Sequence, residues 1–391
     1  MIRRRIAQTA RARLYVSYSL YNFSMGLFGS FLPIHLRSLG ASMFLITLRS
    51  SIPSLIVVFA IPLWGMLSYK IQRRKLFIML GVIARVFCSF IFIFLKIPIQ
   101  FVITISLFSI FTCVLQPNIQ AFVTQGMEKK GKASGLLLTS RSIGLAMGAL
   151  MGGIIFEFYG IQVNYILSFL ASTLAALALL NLKETQVQNI IKSKFFDITP
   201  YKTILKDRNI IPVYITTFLF TFGISIFASL FSVYLVEIGG SKTLLGLTSS
   251  VMFIIAVIVS TPAGIIADKI GRKPLMIFGT LCCGLTTGLL YFTVNPLITA
   301  MIWAFPLHPY IQISSMALIA DYTTDKNREF GMGAQIIFQS IARIIGPIIG
   351  GLLADITSIK MLIPISTAIL FLGGLSAIFL IKEKTLPHAR T

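Results

Sequence analysis

Three arginines lie far inside long apolar runs of this 391-residue chain: Arg85, Arg141 and Arg343. A guanidinium stays charged and presents a planar fork that fits a carboxylate or a phosphate. The acidic residues, which number 12, all fall near or beyond the ends of these runs. Deep cations without deep acids favour an anionic ligand over a cationic one. The alternative for all three arginines is structural pairing, or a side chain that reaches to the membrane surface.

Metal-dependent or covalent chemistry has little support in the sequence. The cysteines lie inside apolar segments without metal-ligand spacing, so we interpret them as small buried apolar residues. The three histidines are scattered along the chain, and no Gly-x-x-x-x-Gly-Lys-Ser/Thr loop is present to bind a nucleotide phosphate. We therefore expect no metal, no cofactor and no enzymatic activity. The cysteines are Cys88, Cys113, Cys282 and Cys283.

The elements that must position the arginines are membrane-spanning helices. The chain is 56% hydrophobic and only 12% charged, whereas soluble domains are about 25% charged. Apolar runs of about 20 residues match the thickness of the bilayer core and predict an all-α membrane protein. The predicted spans are 14–36, 44–68, 76–95, 98–125, 134–157, 162–182, 209–236, 243–267, 274–294, 296–322, 331–355 and 359–381.

The basic residues that give the chain its net charge of +22 are concentrated in particular loops. If the helices alternate across the bilayer, basic residues concentrate in the loops on the side of the N-terminus. Because cytoplasmic loops carry the excess of Lys and Arg, both termini are predicted to be cytoplasmic in a multi-pass protein of the cell membrane. This distribution accounts for the basic character without a nucleic-acid partner.

The two halves of the chain repeat one another. A displacement of 199 residues places Gly65 on Gly264, and it also brings glycines, serines and aromatic residues of the two halves into register. Near the end of each half, Glu157 aligns with Asp355 under a displacement of 198 residues. The repeat predicts a six-helix bundle at 1–182, a cytoplasmic linker at 183–208 and a second six-helix bundle at 209–391.

The linker contains apolar residues at helical spacing opposite lysines, which predicts a helix on the membrane surface. A disordered tether is the alternative. The apolar residues are Ile191, Phe195, Ile198, Tyr201 and Leu205.

A loop between the eighth and ninth predicted spans has the pattern Gly264-x-x-x-Asp268-x-x-Gly271-Arg272-Lys273. Gly264 would allow close helix contact, Gly271 a tight turn, and Asp268 an interaction with a cation or a helix N-terminus. The pattern resembles the cytoplasmic loop signature of the major facilitator superfamily.

The resemblance implies that this loop is a latch for the outward-facing state. The first-half loop keeps Gly65, Arg73 and Arg74 but has Tyr69 where the family usually has Asp. The latch is therefore expected to be asymmetric, with most of the switching energy on the Asp268 side.

In this superfamily the first, fourth, seventh and tenth helices line a central cavity that the fifth and eleventh border. The resemblance therefore implies Arg343 as the first substrate candidate and Arg141 as the second, with Arg85 structural on the peripheral third helix. Further cavity candidates are Tyr18, Tyr21, Asn22, Gln116, Asn118, Thr221, His308, Tyr310 and Gln312.

Charges at the outer helix ends suggest a gate. If the second helix packs on the eleventh and the fifth on the eighth, as in the family, Arg49 could meet Asp355 and Lys242 could meet Glu157. The glycines of the fifth span, Gly144, Gly148, Gly152 and Gly153, resemble the glycine motif of antiporters, although simple helix packing is an equal alternative.

The resulting functional prediction is a monomeric secondary active or facilitative transporter of a small solute, an organic anion or metabolite, working by alternating access. A multidrug efflux antiporter is the alternative within transport. A transport-inactive membrane sensor or scaffold is the alternative in another class.

Overall fold

The computed structural model describes residues 2–71, 73–124, 130–180, 204, 206–305, 307–324 and 327–382, without the side chains of residues 2–11, 69, 130, 261 and 329. This part of the chain consists of helices and turns and contains no β-strand. The predicted surface helix of the linker falls almost entirely on residues 183–203 and 205, which lie outside the described ranges.

The first half contains eight helices that form six predicted spans. They are α1 (Ile2–Gly29), α2 (Leu32–Ser38), α3 (Met43–Ile71), α4 (Arg74–Phe92), α5 (Pro98–Thr112), α6 (Leu115–Thr124), α7 (Lys130–Tyr159) and α8 (Ile161–Leu180).

The second half repeats the same order of long and short helices. They are α9 (Ile211–Ala228), α10 (Phe231–Glu237), α11 (Lys242–Ile270), α12 (Arg272–Leu289), α13 (Pro296–Ala304), α14 (His308–Tyr322), α15 (Arg328–Ile356) and α16 (Leu362–Leu380), the last preceded by a 3-10 turn at Ile359–Met361.

Nine segments of the described chain are long and apolar enough to cross a membrane. The three other helical segments are α1 with α2, α12, and α13 with α14, which occupy the positions predicted for the first, ninth and tenth spans. The predicted helical membrane fold is confirmed, and each of the twelve predicted spans corresponds to a helical segment.

The first, fourth, seventh and tenth predicted spans are each divided into two helices, whereas the other spans run without a break. At the break between α13 and α14, Phe305 has extended backbone angles, φ −86° and ψ 100°. A proline follows it in the sequence, and proline disfavours the helical conformation of the residue before it. Local sequence therefore explains this interruption.

Apolar packing joins the halves at one end of the molecule only, among the residues described. We call the end with Glu157 and Asp355 the acidic end, and the end with Arg73 and Arg272 the basic end. At the acidic end one buried cluster combines first-half residues such as Phe31 and Phe156 with second-half residues such as Tyr234. Near the basic end each half has its own cluster. The halves are thus joined at the acidic end and separately packed at the basic end.

The glycine rows set the spacing of the central helices. An ideal Cβ on Gly144 or Gly148 would collide with the backbone of α1, and one on Gly350 would collide with the backbone of α9. These contacts lie within each half. Gly153 instead faces α11 of the other half, where its Cβ would lie 2.7 Å from the carbonyl oxygen of Lys242. The row therefore packs helices, as one of the two interpretations expects.

Candidate functional site

Two carboxylates hold the halves together at the acidic end. Glu157, at the end of α7, accepts hydrogen bonds from the backbone amides of Lys242 (2.6 Å) and Thr243 (3.3 Å) at the start of α11. Asp355, at the end of α15, accepts from Met43 (2.7 Å) and Phe44 (2.9 Å) at the start of α3. The first amides of a helix have no partner within it, and the helix dipole favours a negative charge there.

Among the described residues, the two acids of the predicted gate bind backbone amides instead of the basic side chains that were predicted. Asp355 binds backbone amides and not Arg49, whose Nε is buried without a hydrogen-bond partner among the described residues. Lys242 contributes its backbone amide to Glu157, while its ammonium lies 4.4 Å from the ring centroid of Phe156. The helix pairs were predicted correctly, but helix termini replace the basic side chains as partners of the acids.

A cleft of about 490 Å³ opens between the halves further towards the basic end. Its walls are α7 of the first half and α11 and α14 of the second. The two walls α7 and α11 meet at the acidic end, where an ideal Cβ on Gly246 would lie 2.5 Å from the carbonyl oxygen of Ala149. The polar side chains that line the cleft are Arg141, Ser142, Ser260, His308 and Gln312. Its apolar lining includes Leu138, Leu145, Met252 and Phe253.

The charge in and around this cleft is positive. Arg141 is half-buried in its wall, and Arg343 of α15 is exposed and close enough to interact electrostatically with both Arg141 and His308. No acidic side chain lines the cleft in the described part of the chain. Neither arginine donates a hydrogen bond or forms an ion pair with a described residue. The arrangement can bind an anion between cations contributed by opposite halves.

Several predicted cavity residues lie elsewhere. Tyr18, Tyr21 and Asn22 are at most 7% exposed, and Asn22 donates to the carbonyl of Tyr18 within α1. Asn118 is also buried, donating to Val114 and accepting from Ser68. These four buried side chains do not belong to the cleft lining, although Tyr18 and Tyr21 lie within electrostatic range of Arg141.

Three further candidates do not line the cleft. Tyr310 packs against α12, with its ring 6.0 Å from that of Phe278. Gln116 is exposed and Thr221 half-buried, but neither belongs to the lining of the cleft. Knowing which helix carries a residue was therefore not enough to predict whether its side chain faces the space between the halves.

The wall formed by α11 was missed by sequence reasoning. Met252, Phe253, Ala256, Val257 and Ser260 line it, and these residues carry no charge that marks a binding surface. The predicted packing of the fifth span on the eighth could have indicated this wall, because α7 carries Arg141 and packs on α11 of the other half.

Arg85 contacts residues of its own half. Its guanidinium donates to the side chain of Ser24 at 3.1 Å and to the carbonyl of Ser24 at 3.0 Å. It also lies 4.5 Å from the ring centroid of Phe28, and only 7% of the residue is exposed. Its donors are directed into the first half and away from the cleft.

The second-half loop forms a compact charged turn. Gly271 has a positive φ of 102°, which lets α11 end and α12 begin without a spacer. Arg272 lies 3.8 Å from Asp268 and forms a second, shorter ion pair with Asp321 of α14. Asp321 was not predicted. Lys273 is half-buried in the first turn of α12.

Other features of the loops differ from expectation. The close helix contact expected at Gly264 is wrong, because a Cβ there would meet nothing within 4 Å. In the first-half loop, Gly65 lies within α3, Arg73 is exposed before α4, and Arg74 donates to the carbonyl of Ala121 at 2.8 Å. The side chain of Tyr69 lies outside the description.

The described residues contain no group of three or more His, Cys, Asp or Glu side chains placed to hold a metal ion.

A sequence model described as Major Facilitator Superfamily matches residues 14–307 and, in a second alignment, 213–391. The multi-drug resistance efflux pump PmrA of Streptococcus pneumoniae is 31% identical over 151 residues, 37% of this chain and 37% of PmrA. The staphyloferrin B transporter of Staphylococcus aureus is 29% identical over 175 residues, 41% of each chain. The chain spans about two fifths of the length of the curated relatives that it matches.

Solved structures resemble the chain over nearly its whole length. The nucleoside transporter NupG has a TM-score of 0.81 at 13% identity and covers 96% of this chain and 100% of its own. A bacterial homologue of the human lysosomal transporter Spinster, inward-facing and unoccupied, has a TM-score of 0.77 at 12% identity and covers 98% and 99%. At these identities the likeness establishes the fold.

Proposed function

Because the chain belongs to the Major Facilitator Superfamily, we propose that it carries a small organic anion across a membrane by alternating access. The two halves rock about the cleft between them and expose it to one side of the membrane at a time. The chain acts as a transporter and not as an enzyme, and it needs no cofactor.

The observation that carries this proposal is the placement of Arg141 and Arg343. Arg141 of the first half lines a cleft that no described acidic side chain lines, and Arg343 of the second half lies within electrostatic range of Arg141. Two like charges repel, so moving the halves together is unfavourable when the cleft is empty. A bound anion compensates both charges and permits closure around it. The substrate thereby contributes to the conformational change that transports it.

The conformation fits one stage of this cycle. The carboxylate contacts of Glu157 and Asp355 close the acidic end, while the cleft lies towards the basic end. We assign the basic end and both termini to the cytoplasm, which makes this an inward-facing state in a cell membrane. Each chain encloses a complete cleft, so a monomer suffices for transport. The loop at Asp268 and Arg272 would then latch the opposite state.

Multidrug efflux is a second candidate. Its support is the similarity to PmrA and the apolar lining from Leu138, Leu145, Met252 and Phe253. A cationic drug would need an acid in the cleft to offset its desolvation. The positive lining therefore favours an anion.

The test is a thermal-stability screen of the purified protein against organic anions, sugars, amino acids and cationic drugs, because a ligand specific for the folded state raises the unfolding midpoint. Anions that stabilise are then measured for uptake into liposomes. Arg343→Gln and Arg141→Gln should each abolish stabilisation and uptake. Arg13→Gln, which removes an exposed arginine of α1, is the matched control and should change neither.

Stabilisation and transport of cationic drugs, with no effect of anions, would favour the efflux alternative. A ligand that binds but is never moved would support the sensor or scaffold.

A further inference from the structure

We propose that the substrate anion carries a ring-sized apolar group, which binds in a side pocket of the second half next to the cationic cleft. The inference rests on the proposed anion transport and specifies its substrate class: an aromatic or branched-chain organic acid.

The side pocket lies between α9, α12 and the break that separates α13 from α14. Its volume is about 130 Å³, close to the ~150 Å³ of an apolar cavity that accepts benzene. The space is therefore sufficient for one six-membered ring or a short branched chain. The walls are formed mainly by Ile224, Cys283, Thr287, Leu290 and Trp303, with His308 at one side.

The break between α13 and α14 helps to form this space. Phe305 leaves the helical path, and both Phe305 and Leu307 line the pocket. The indole of Trp303 is held in place by a stacked contact with Phe231, with 4.3 Å between ring centroids. A flat aromatic wall is thus fixed before any ligand arrives, which reduces the ordering cost of binding.

The pocket and the cleft are adjacent. His308 and Met252 line both, and His308 lies within electrostatic range of Arg343. A ligand whose acidic group is held by Arg141 and Arg343 could therefore place its apolar group in the side pocket, on the other side of His308.

The chemistry of the two spaces differs sharply. Apart from His308, the side-pocket lining has no ionisable side chain other than the thiol of Cys283, and Leu290 and Thr287 are at most 3% exposed. A charged or strongly hydrated group would lose its water there without replacement. An apolar group gains by leaving water, and an acidic group gains by remaining in the cleft. The combined site therefore favours a small molecule in which an acidic group and an apolar group are only a few bonds apart.

The test uses the purified full-length protein with Trp64→Phe, which leaves Trp303 as the single tryptophan of a chain that has two. The probes are acetate, phenylacetate and 2-phenylethanol, which separate the acidic group from the ring. Dissociation constants come from thermal stabilisation, and occupation of the pocket comes from Trp303 fluorescence. We expect phenylacetate to bind at least roughly tenfold more tightly than acetate and than the neutral alcohol, and to change Trp303 fluorescence.

Adjacent cysteines provide a matched pair of variants. Cys283 lines the side pocket, whereas Cys282 lies on a groove with Lys273 and Phe278 on another side of α12. Cys283→Leu fills the pocket and should reduce the phenylacetate-to-acetate affinity ratio to about one. Cys282→Leu should leave that ratio unchanged. If Cys283→Leu does not fold, Thr286→Leu fills the same pocket from three residues, about one helical turn, further along α12.

The outcomes separate the two proposals. If acetate and phenylacetate bind equally and Arg343→Gln abolishes both, the inference is overturned while anion binding stands. Phenylacetate could instead bind tightly without changing Trp303 fluorescence and keep its affinity in both Cys283→Leu and Thr286→Leu. The ring of phenylacetate would then lie outside the side pocket, and the inference would again be overturned. If no acid in the series or in the wider screen binds, the proposed function fails, and the inference fails with it.

Discussion

The Oε2 atom of Glu157 lies 2.6 Å from the backbone nitrogen of Lys242, across the boundary between the two halves. Asp355 makes the same kind of contact with Met43 at 2.7 Å, at the corresponding position of the repeat. Each acid ends one helix and caps the first amides of another. Closure of the acidic end therefore depends on the same interaction formed twice, and both copies must break for that end to open.

Neutralising these caps should favour opening of the acidic end. Glu157→Gln with Asp355→Asn keeps the shape and an acceptor oxygen of each side chain but removes its charge, and a negative charge at a helix N-terminus contributes about 1 kcal/mol. We expect the equilibrium between the closed and open forms to move by roughly fivefold for each cap. The measurement is disulfide formation between Ser30→Cys and Ser249→Cys, since the two hydroxyl oxygens are 3.1 Å apart in the closed form.

Single-cysteine versions of that pair are the controls for cross-links with native cysteines. An unchanged cross-linking yield in the neutralised protein would show that the carboxylates do not control closure.

A side chain at Gly351 should also prevent closure. An ideal Cβ there would lie 2.7 Å from the Cα of Phe44 and would collide with Thr47, both on α3 of the other half. Gly351→Val is therefore expected to hold the acidic end open and to lower the same cross-linking yield severalfold. Gly264→Ala is the matched control, because its Cβ meets nothing within 4 Å. Normal cross-linking in Gly351→Val would contradict the inter-half contact.

Arg85 and Arg343 should differ in what their loss affects. Arg85→Met removes two charge-assisted hydrogen bonds to Ser24, whose carbonyl still accepts from Ser168, and should lower the free energy of unfolding by about 1–3 kcal/mol. Transport per folded molecule should be retained, whereas Arg343→Gln should abolish transport with little effect on stability. Thermal unfolding and liposome uptake on the same preparations measure both. Loss of anion binding by folded Arg85→Met would assign that arginine to the substrate site.

The ion pair between Arg272 and Asp321 should couple the loop to α14. Both side chains are partly buried, 19% and 22% exposed, so removing one partner leaves the other charge poorly solvated. Arg272→Gln and Asp321→Asn should each destabilise the protein, and the double variant should lose less than the sum of the two. A double-mutant cycle of thermal unfolding measures this coupling. Strict additivity would show that the pair contributes nothing.

Much of the architecture follows from the sequence, because the bilayer constrains it strongly. Apolar runs of membrane length must be helical, so the spans could be predicted, and the glycines and acids in register between halves predicted the repeat. The pairing of α3 with α15 and of α7 with α11 also followed, from the family resemblance. Arg141 and Arg343 were recognised by their depth in apolar segments; Arg141 lines the cleft, and Arg343 lies within electrostatic range of Arg141.

Contacts that depend on helix rotation and on backbone groups required the tertiary structure. The sequence places Tyr18, Asn118 and Tyr310 on the helices expected to line the cavity, but rotation buries Tyr18 and Asn118 in the first half and turns Tyr310 towards α12. The sequence cannot show which backbone amides Glu157 and Asp355 bind, because every residue except proline has an N–H group and only the docking of two helices brings particular ones to the acids. The residues determined which helices form and which charges lie deep, and their three-dimensional arrangement decided which charges meet.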